Sequence, residues 1–444
     1  MKTQVSEKLI SLIWQRQLVT RLVTDAGEQF QMVYPGRVNH DGGGDFRDAV
    51  FIIGGRVING DIEVHVKSSQ WYSHGHHRDP RYNDITLHVA MWNDSRSSTM
   101  LQNGDAIPTV YLSPFLVSPL DKLCHQANLS RHPLPSCPEA ARYQDREHLG
   151  KLLAAAGEER FVAKITSFQE ALVTEEAEQV LFRGIARALG YAKNTLPFEE
   201  LASRLPLSFL EQIEPQTSIA KQAWLLGAAG LLPSQRLKLQ HRLIEDREVE
   251  KLETIWQSSG MTETMRETDW HFFRVRPDNF PTRRLVALSC LLTRYRRPGL
   301  LQGAVTLVKR APSGTEHRWL ENGLTIAGQG YWANHFDFDI AKTRSSDLLG
   351  RSKAAEIAIN IILPFICAWG EITAESGLKK KAVDIYRHYP WTGDNELTRY
   401  MKQQLLLKPD NTLSACQQQG LIHIFKAHCR RRNCTECPIA LNRG

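Results

Sequence analysis

The stretch that most constrains the fold of this chain is residues 42–67, GGGDFRDAVFIIGGRVINGDIEVHVK. A glycine-rich turn leads into a short apolar run, and a second glycine pair predicts a tight turn into a longer run. Because side chains in a strand alternate between the faces of a sheet, the longer run presents two unlike faces. One face carries Asp61, Glu63, His65 and Lys67, and the other carries Ile62, Val64 and Val66. The stretch therefore predicts a β-hairpin with one apolar face and one ionisable face.

The ionisable face suits metal-assisted chemistry. Asp45 opens the first strand and Glu63 lies on the second, so the hairpin brings two carboxylates together. A lysine follows one or two same-face positions further along the second strand. Metal-assisted hydrolysis of phosphodiesters uses a set of two carboxylates and a lysine. The alternative is an amphipathic surface hairpin whose charged face is solvated, which is how most such strands end.

The connection after the hairpin, residues 71–84, is rich in histidine. It contains His74, His76 and His77 together with Asp79, and imidazoles beside a carboxylate suit a transition metal. A rival interpretation is a cupin-like metalloenzyme that acts on a small molecule. Its ligands would be Glu63, His65, His76 and His88. Each histidine taken alone is equally consistent with a surface or hydrogen-bonded residue.

The rest of the chain predicts a small α/β domain around this hairpin, followed by a long helical region. Residues 5–18 place apolar side chains at helical spacing, with Ser6 as a candidate N-cap. Further β-runs are predicted at 30–34, 85–92 and 109–112, and helical patterns dominate from residue 145 onward. The predicted class is therefore α+β. The predicted domains are residues 1–125, 126–265, 266–415 and 416–444.

Composition and charge bear on the binding partner and the cellular location of the protein. The net charge is +7, which suits a polyanionic partner without requiring one. No apolar run approaches about 20 residues, so no membrane span is predicted, and the polar N-terminus does not resemble a signal peptide. A cytoplasmic location is the resulting expectation, and the eight cysteines are not expected to form a disulfide framework there.

Half of these cysteines lie in the tail, at the spacing C-x12-C-x4-C-x2-C. Thiolates suit Zn²⁺ or an iron–sulfur cluster, and the spacing does not decide between them. The predicted ligands are Cys416, Cys429, Cys434 and Cys437, with His423 or His428 as replacements for Cys416. Unliganded cysteines in a helical tail are the alternative. The last three cysteines resemble the iron–sulfur loop of helix-hairpin-helix DNA glycosylases.

A basic run lies inside this tail. It consists of Arg430, Arg431 and Arg432, with Lys426 one turn earlier. Held rigid by a metal, the run would make a patch for phosphate contacts, and DNA is the favoured partner. The alternative is a solvated charge run without a partner.

The hairpin resembles the core of the PD-(D/E)XK nuclease superfamily, in which a helix precedes two strands that carry an aspartate and an acidic-x-lysine motif. The resemblance implies that Asp45 and Glu63 hold Mg²⁺ or Mn²⁺, and that Lys67 orients or deprotonates the attacking water. It also implies that Glu7, on the first helix, is the additional acidic residue of many members.

Two positions depart from the nuclease motif. Gly44 replaces its proline, and Lys67 stands four residues after Glu63 instead of two, so that His65 occupies the lysine position. Either His65 replaces the lysine, or Lys67 reaches the site from one strand repeat further, roughly 6.6 Å away. If neither does, the chain has a nuclease fold without nuclease chemistry.

Over nearly its whole length the chain resembles an uncharacterised bacterial family, domain-of-unknown-function family 2851. The resemblance is carried by segments that include PGRVNHDGGGDFRDA, GDIEVHVKSSQWYSHGHH, LGRSKAAEIAINIILPF and CRRRNCTECPI. It implies no activity. The leading expectation is therefore a Mg²⁺-dependent nuclease or nuclease-derived DNA-processing protein. The alternatives are a non-catalytic nucleic-acid-binding protein on a degenerate nuclease fold and the small-molecule metalloenzyme.

Overall fold

The computed structural model describes residues 5–39, 43–95, 97–125, 137–140, 146–191, 193–213, 217–237, 239, 244–272, 275–408 and 411–441. The chain divides into two compact units. Unit 1 comprises Met1–Gly157, Asp394–Thr412 and Gln417–Gly444, and unit 2 comprises Glu158–Gly393 and Leu413–Cys416. The predicted α+β class is confirmed, with a mixed sheet in the N-terminal segment and helices beyond it. The finer division at residues 125, 265 and 415 stays a prediction.

The N-terminal segment of unit 1 is built on one mixed sheet. Its elements are α1 (Glu7–Gln15), β1 (Phe30–Tyr34), β2 (Arg37–Val38), β3 (Phe46–Ile53), β4 (Arg56–Lys67), α2 (Gln70–Ser73), β5 (Ile85–Trp92), β6 (Thr99–Met100), β7 (Ala106–Ile107), β8 (Thr109–Tyr111) and α3 (Leu120–His125). The strand order is β1-β3-β4-β5-β8, with β2 paired to β3. β3 and β4 form the predicted antiparallel hairpin, whereas β5 is parallel to β4 and β8 is parallel to β5.

Helix α1 covers the apolar face of the hairpin. Ser6 caps it, since its Oγ accepts a hydrogen bond from the Leu9 amide at 3.3 Å. Three apolar side chains of α1 are fully buried in one core with even-numbered residues of β4, and Leu9 and Leu12 pack against that core. That shared core includes Ile10, Ile13, Trp14, Ile62 and Val64. The predicted alternation of β4 is therefore confirmed on this face.

The opposite face of β4 is also covered, which the strand pattern alone did not indicate. Trp71, from α2, is fully buried there in a second apolar cluster with Ile85 and Leu101. As a consequence, Glu63 and His65 are only 7% and 1% exposed although both are ionisable. The middle of the ionisable face, Glu63 and His65, therefore lies in the interior of unit 1, whereas Lys67 at its end is exposed.

Helices follow from residue 146 onward, with a two-stranded sheet of β9 (His335–Asp337) and β10 (Ile340–Ala341). They are α4 (Arg146–Thr174), α5 (Ala177–Leu189), α6 (Thr195–Arg204), α7 (Leu207–Gln212), α8 (Ser218–Ala228), α9 (Arg247–Ser258), α10 (Pro281–Arg294), α11 (Leu300–Lys309), α12 (Glu316–Leu324), α13 (Arg351–Ile357), α14 (Leu363–Ile372), α15 (Ser376–His388), α16 (Glu396–Gln404), α17 (Ala415–Ala427) and α18 (Pro438–Leu441).

One helical stretch, Arg351–Ile372, is long and apolar enough by length and composition to cross a membrane. The sequence analysis expected no apolar segment long enough to span a membrane. The helical stretch reaches this length because a π-helical turn, Ala358–Ile362, joins α13 to α14 without a break. Pro364 explains this turn, since proline lacks the N–H that an α-helix would use there. Within the protein, 67% of the apolar window is buried, as in the core helix of a soluble protein. A cytoplasmic location stays a prediction.

The C-terminal part of unit 1 packs against β1. The ring of Tyr34 lies 4.8 Å from that of Tyr400 on α16 and 5.0 Å from that of Phe425 on α17. Two 3-10 turns follow α17, Cys429–Arg431 and Cys434–Glu436. The tail is thus attached to the same unit as the hairpin.

Candidate metal centre

The hairpin holds Asp45 and Glu63 through a reciprocal pair of hydrogen bonds. The β3–β4 ladder ends where Phe46 pairs with Ile62, one residue from each carboxylate. The Asp45 amide donates to Glu63 Oε2 at 3.1 Å, and the Val64 amide donates to Asp45 Oδ2 at 2.9 Å. Each carboxylate is therefore fixed by a backbone N–H group of the opposite strand, and the two are held side by side.

Histidine side chains converge on the second oxygen of Glu63. Its Oε1 lies 3.3 Å from Nε2 of His76 and 3.7 Å from Nε2 of His65. One ring nitrogen from each of His65, His74 and His76 lies within 4.8 Å of the others. We call Asp45, Glu63, His65, His74 and His76 the His/Glu centre.

Gly75 allows His74 and His76 to approach the same strand. α2 is followed by His74 as its C-cap, Gly75 adopts a left-handed φ of 78°, and a 3-10 turn begins at His76. Glycine takes this conformation without the steric cost that a side chain would add. The rings of Trp71 and Tyr82 then pack on His76, at centroid distances of 5.4 and 3.9 Å. The turn and its aromatic neighbours therefore orient the histidine loop toward β4.

A chain of hydrogen bonds behind His65 couples its tautomer to that of His88. His65 Nδ1 lies 3.0 Å from His88 Nε2, and His88 Nδ1 lies 3.0 Å from Thr99 Oγ1. Thr99 Oγ1 in turn lies 2.8 Å from Thr109 Oγ1, and all four side chains are buried. A neutral His65 that offers its Nε2 lone pair to the centre must carry the proton on Nδ1, where it donates to His88. His88 then donates from Nδ1 to Thr99.

Burial governs the protonation of the centre. Desolvation raises the pKa of Glu63 to about 8, and desolvation with the neighbouring Glu63 charge raises the pKa of Asp45 to about 7. Desolvation, aided by nearby imidazoles, lowers the pKa of His65 to about 2, and desolvation also lowers the pKa of His76. Around neutral pH these two imidazoles are therefore uncharged, whereas the carboxylates retain protons that a bound cation would displace.

Two ligand atoms of the centre have no hydrogen-bond partner. Nε2 of His65 and Nε2 of His76 are buried and make no hydrogen bond of acceptable geometry. A buried polar atom left unsatisfied costs on the order of 1–3 kcal/mol. Both atoms lie next to Glu63 Oε1, and imidazole nitrogens beside a carboxylate oxygen form a ligand set for a first-row transition ion.

The remaining predicted catalytic residues, Glu7 and Lys67, differ in their surroundings. Glu7, in the first turn of α1, lies near enough for its charge to raise the pKa of both Asp45 and Glu63. Lys67 ends β4, its side chain is 58% exposed, and its Nζ lies 3.8 Å from Asp94 Oδ2. The structure therefore brings Glu7 close to the centre and sets the Lys67 ammonium group against Asp94.

Gly44, which replaces the proline of the nuclease motif, has a steric reason to be glycine. A Cβ atom at this position would lie 2.8 Å from the carbonyl oxygen of Ile62 and would collide with the side chain of Ile85. Real Cβ atoms essentially never approach a neighbour this closely. The chain therefore passes directly over β4 immediately before Asp45, and only glycine fits there.

The predicted cysteine ligands fall into two groups. Cys429, Cys434 and Cys437 belong to unit 1, whereas Cys416 belongs to unit 2. In unit 2 the hydroxyl of Tyr386 donates a hydrogen bond to the Cys416 thiol. The structure thus gives Cys416 a local partner of its own.

The basic run of the tail is exposed and is attached to β4. The exposed residues are Lys426, Arg430, Arg431 and Arg432. Arg430 Nε donates to Asn59 Oδ1 at 3.1 Å. Asn59 and Glu63 are four residues apart on one strand, so they point to the same face at a separation of about 13 Å.

Sequence reasoning placed His74 in the metal-suited histidine loop without naming it among the four cupin-like ligands, and it did not assign Thr99 or Thr109 to the centre. The signal for His74 is its position before Gly75, because a glycine between two histidines permits the reversal that brings both to β4. Thr99 and Thr109 carry no local signal, since they come from short strands whose approach to His88 depends on the tertiary fold.

Replacing Thr99 with valine is expected to weaken ion binding at the His/Glu centre. Valine keeps the shape of the side chain but cannot accept the His88 proton, so the relay no longer fixes the tautomer of His65. Partners of metal-bound histidines typically contribute about 10–100-fold to metal affinity, and we expect about tenfold weaker Mn²⁺ binding in isothermal titration calorimetry. Thr20→Val, at an exposed threonine, is the control. Equal affinities in the two variants would show that the relay does not orient His65.

Comparison with known proteins identifies a family but no activity. A family model described as "Protein of unknown function (DUF2851)" matches residues 7–395. The match covers most of the chain, so the chain belongs to this family, and every member of the His/Glu centre lies within the matched residues. No curated protein and no solved structure matches the chain.

Proposed function

We propose that this member of the family is a metal-dependent hydrolase that cleaves phosphodiester bonds in nucleic acid, with the His/Glu centre as its active site. The observation that carries the proposal is the convergence of two buried, unpartnered Nε2 atoms on Glu63 Oε1, beside Asp45. Buried ionisable groups without partners are rare in folded proteins unless they serve a function.

The order of the structural parts supports the nuclease resemblance. A helix precedes the hairpin, Asp45 stands at the start of β3, Glu63 lies on β4, and β5 runs parallel to β4. In this proposal His65 takes the lysine position of the motif, because the Lys67 ammonium group faces Asp94. The motif of this chain is therefore an aspartate followed by Glu-x-His.

The ligand set favours a transition ion over Mg²⁺. Glu63 Oε1, Nε2 of His65 and Nε2 of His76 would hold the ion, with His74 as a further ligand. Imidazole suits first-row transition ions, whereas Mg²⁺ prefers an all-oxygen shell. Mn²⁺ accepts both kinds of ligand and is therefore the ion that we propose first.

The chain's own residues divide the remaining work. A bound divalent ion would lower the pKa of a coordinated water and offset charge on a phosphoryl oxygen. Asp45, whose pKa of about 7 lies near neutrality, is suited to accept the proton of the attacking water. His88 keeps the His65 proton on Nδ1. The buried side chain of Trp71 limits the access of bulk water to the centre.

The basic run supports nucleic acid as the substrate. Arg430 is anchored on Asn59, on the face of β4 that also carries Glu63. The separation of about 13 Å along the strand corresponds to a few phosphates of a nucleic-acid backbone. Arg430, Arg431 and Arg432 would therefore hold phosphates adjacent to the one that is cleaved.

The test is cleavage of labelled single- and double-stranded DNA in the presence of Mn²⁺, with His76→Ala compared to His77→Ala. His77 belongs to the same loop, but its ring packs at a tilt against Tyr72, with the ring centroids 4.8 Å apart. We expect cleavage by the wild type and by His77→Ala, and cleavage at least about 100-fold slower by His76→Ala, since a direct ligand is lost. Equal cleavage by the two variants would contradict the assignment of the active site. Binding of DNA without cleavage by the wild type would favour the non-catalytic alternative.

A second candidate, a metalloenzyme that acts on a small molecule, is favoured by the number of imidazoles. Three histidine nitrogens within 4.8 Å of one another form a nitrogen-rich ligand set that is uncommon around Mg²⁺ in nucleases. Stoichiometric Mn²⁺ binding by a protein that neither binds nor cleaves nucleic acid would favour this candidate.

A further inference from the structure

We infer that Cys137, Cys429, Cys434 and Cys437 hold one thiolate-bound metal centre in unit 1, with Cys137 as the fourth ligand. All four cysteines belong to this unit. The spacing of cysteines in the tail includes only three of these four residues, because Cys137 lies nearly three hundred residues earlier in the chain. The centre is separate from the His/Glu centre and does not depend on the proposed hydrolase activity.

Backbone and ring contacts bring Cys137 to the end of the tail helix. The Cys137 amide donates to the carbonyl oxygen of Gln404, the last residue of α16, at 3.0 Å. Tyr400, one turn earlier on α16, has its ring 6.3 Å from that of Phe425 on α17. Cys429 follows Phe425 by one helical turn, so the ends of α16 and α17 bring the two cysteines together.

The C-x2-C segment has the local form of a metal-binding turn. The Cys437 amide donates to the carbonyl oxygen of Cys434 at 3.2 Å, which closes the turn. The Ala440 amide donates to the carbonyl oxygen of Cys437 at 2.8 Å, where the short helix α18 begins. Backbone hydrogen bonds therefore hold Cys434 and Cys437 on one closed turn.

The four cysteines differ in burial: Cys437 is buried, Cys137 and Cys429 are partly buried, and Cys434 is exposed. Burial is the largest cause that raises the pKa of the Cys429 thiol to about 12, and charges on Cys437, Cys137 and Cys434 raise it further. The charges of all three thiols act on Cys429, in agreement with the backbone and ring contacts that bring Cys137 to the tail. Four thiolates gathered in this way repel one another unless a cation lies among them.

Cys416, the ligand expected from the spacing, has a different environment. Its thiol accepts a hydrogen bond from the Tyr386 hydroxyl in unit 2. Its pKa is raised by burial and by Glu158, with no contribution from the other cysteines of the tail. Cys416 is therefore the matched control for Cys137.

Four thiolates can hold either an iron–sulfur cluster or a single zinc ion, and the two centres differ in the distance between their sulfurs. Among the residues that the structure describes, His65, His74 and His76 are the one group of three or more ligand atoms within 4.8 Å of one another. Zinc with Zn–S bonds of about 2.3 Å would hold its sulfurs roughly 3.8 Å apart. In an iron–sulfur cluster the cysteines bind different irons, so their sulfurs lie farther apart.

The test compares Cys137→Ser with Cys416→Ser in the full-length protein, purified without oxygen. Iron, zinc and sulfide are measured per chain, together with absorbance near about 400 nm, where iron–sulfur clusters absorb broadly. We expect Cys416→Ser to retain the wild-type metal content and Cys137→Ser to lose about 90% of it. Absorbance identifies a cluster, and stoichiometric colourless zinc identifies a single ion; either supports the ligand set. Full metal content in Cys137→Ser, or no iron and no zinc in the wild type, would overturn it.

Alkylation of the wild-type protein keeps the inference testable if Cys137→Ser does not fold. Iodoacetamide labelling before and after metal removal is mapped by mass spectrometry. We expect Cys137, Cys429, Cys434 and Cys437 to become reactive together when the metal is removed, with no such change at Cys416. Labelling of Cys137 that does not respond to metal removal would overturn its role as a ligand.

Discussion

Replacing Glu63 with glutamine is expected to abolish ion binding at the His/Glu centre and to stabilise the metal-free protein above pH 8. The amide keeps the size of the carboxylate, and its oxygen can accept the Asp45 amide hydrogen bond that Glu63 Oε2 now accepts. Its NH₂ group would face Nε2 of His76 and His65, where it can donate a hydrogen bond but cannot bind a cation. We expect Mn²⁺ affinity to fall by at least about 100-fold.

The gain in stability follows from the burial of Glu63. Its pKa of about 8 lies above its ordinary value of 4.5, so the folded protein must carry a buried charge once the pH exceeds 8. Removing that charge is expected to raise the free energy of unfolding by an amount on the order of a few kcal/mol at pH 9. Thermal denaturation with and without Mn²⁺ measures both effects. Glu28→Gln, at an exposed glutamate, is the control. Unchanged Mn²⁺ affinity in Glu63→Gln would contradict the assignment of Glu63 as a ligand.

Metal-free and Mn²⁺-bound protein are expected to respond to pH in opposite directions. Burial raises the pKa of Asp45 to about 7 and that of Glu63 to about 8, well above their unfolded values. Between the unfolded and the folded pKa values of these carboxylates, the folded state binds more protons than the unfolded state. The stability of the metal-free protein therefore falls as the pH rises through this range. The lowered pKa values of His65 and His88 act in the other direction, but only below about pH 6.5. Between about pH 6.5, where the histidine effect ends, and pH 8, the folded pKa of Glu63, the carboxylates therefore dominate.

Ion binding reverses this trend because the ion displaces the carboxylate protons. Below the two carboxylate pKa values, each displaced proton changes the apparent affinity about tenfold per pH unit. We expect the increase in melting temperature on adding Mn²⁺ to be much larger at pH 8.5 than at pH 6. The shift is measured by differential scanning fluorimetry across that range, with Glu63→Gln as the reference without a functional centre. A shift that does not depend on pH would show that no buried carboxylate binds the ion.

Local patterns predicted the hairpin and the helix that covers it. Alternation along β4 and helical spacing in α1 depend on neighbouring residues in the chain, and both appear in the structure with Ile62 packed against α1. The burial of Glu63 and His65 could not be predicted in this way, because it depends on the path of the loop through Gly75 and on Trp71. The same alternation would equally suit a solvated face.

Long-range partners were the least predictable part. Cys416 lies much closer to Cys429 in the sequence than Cys137 does. Sequence spacing alone therefore favoured Cys416 as the fourth ligand. Cys137 reaches the tail only because α16 returns to unit 1, where the Cys137 amide bonds to Gln404. Contacts of this kind have no signature in a single sequence, since they depend on the tertiary fold.

Glu63, His65 and His76 are proposed to bind one cation together. Anomalous diffraction from Mn²⁺-soaked crystals tests it most directly, because Mn²⁺ prefers oxygen and imidazole ligands to the thiolates of the tail. We expect one strong anomalous peak within about 2.5 Å of Glu63 Oε1 and of Nε2 of His65 and His76. Strong Mn²⁺ peaks elsewhere in the protein, with none among these three side chains, would contradict it.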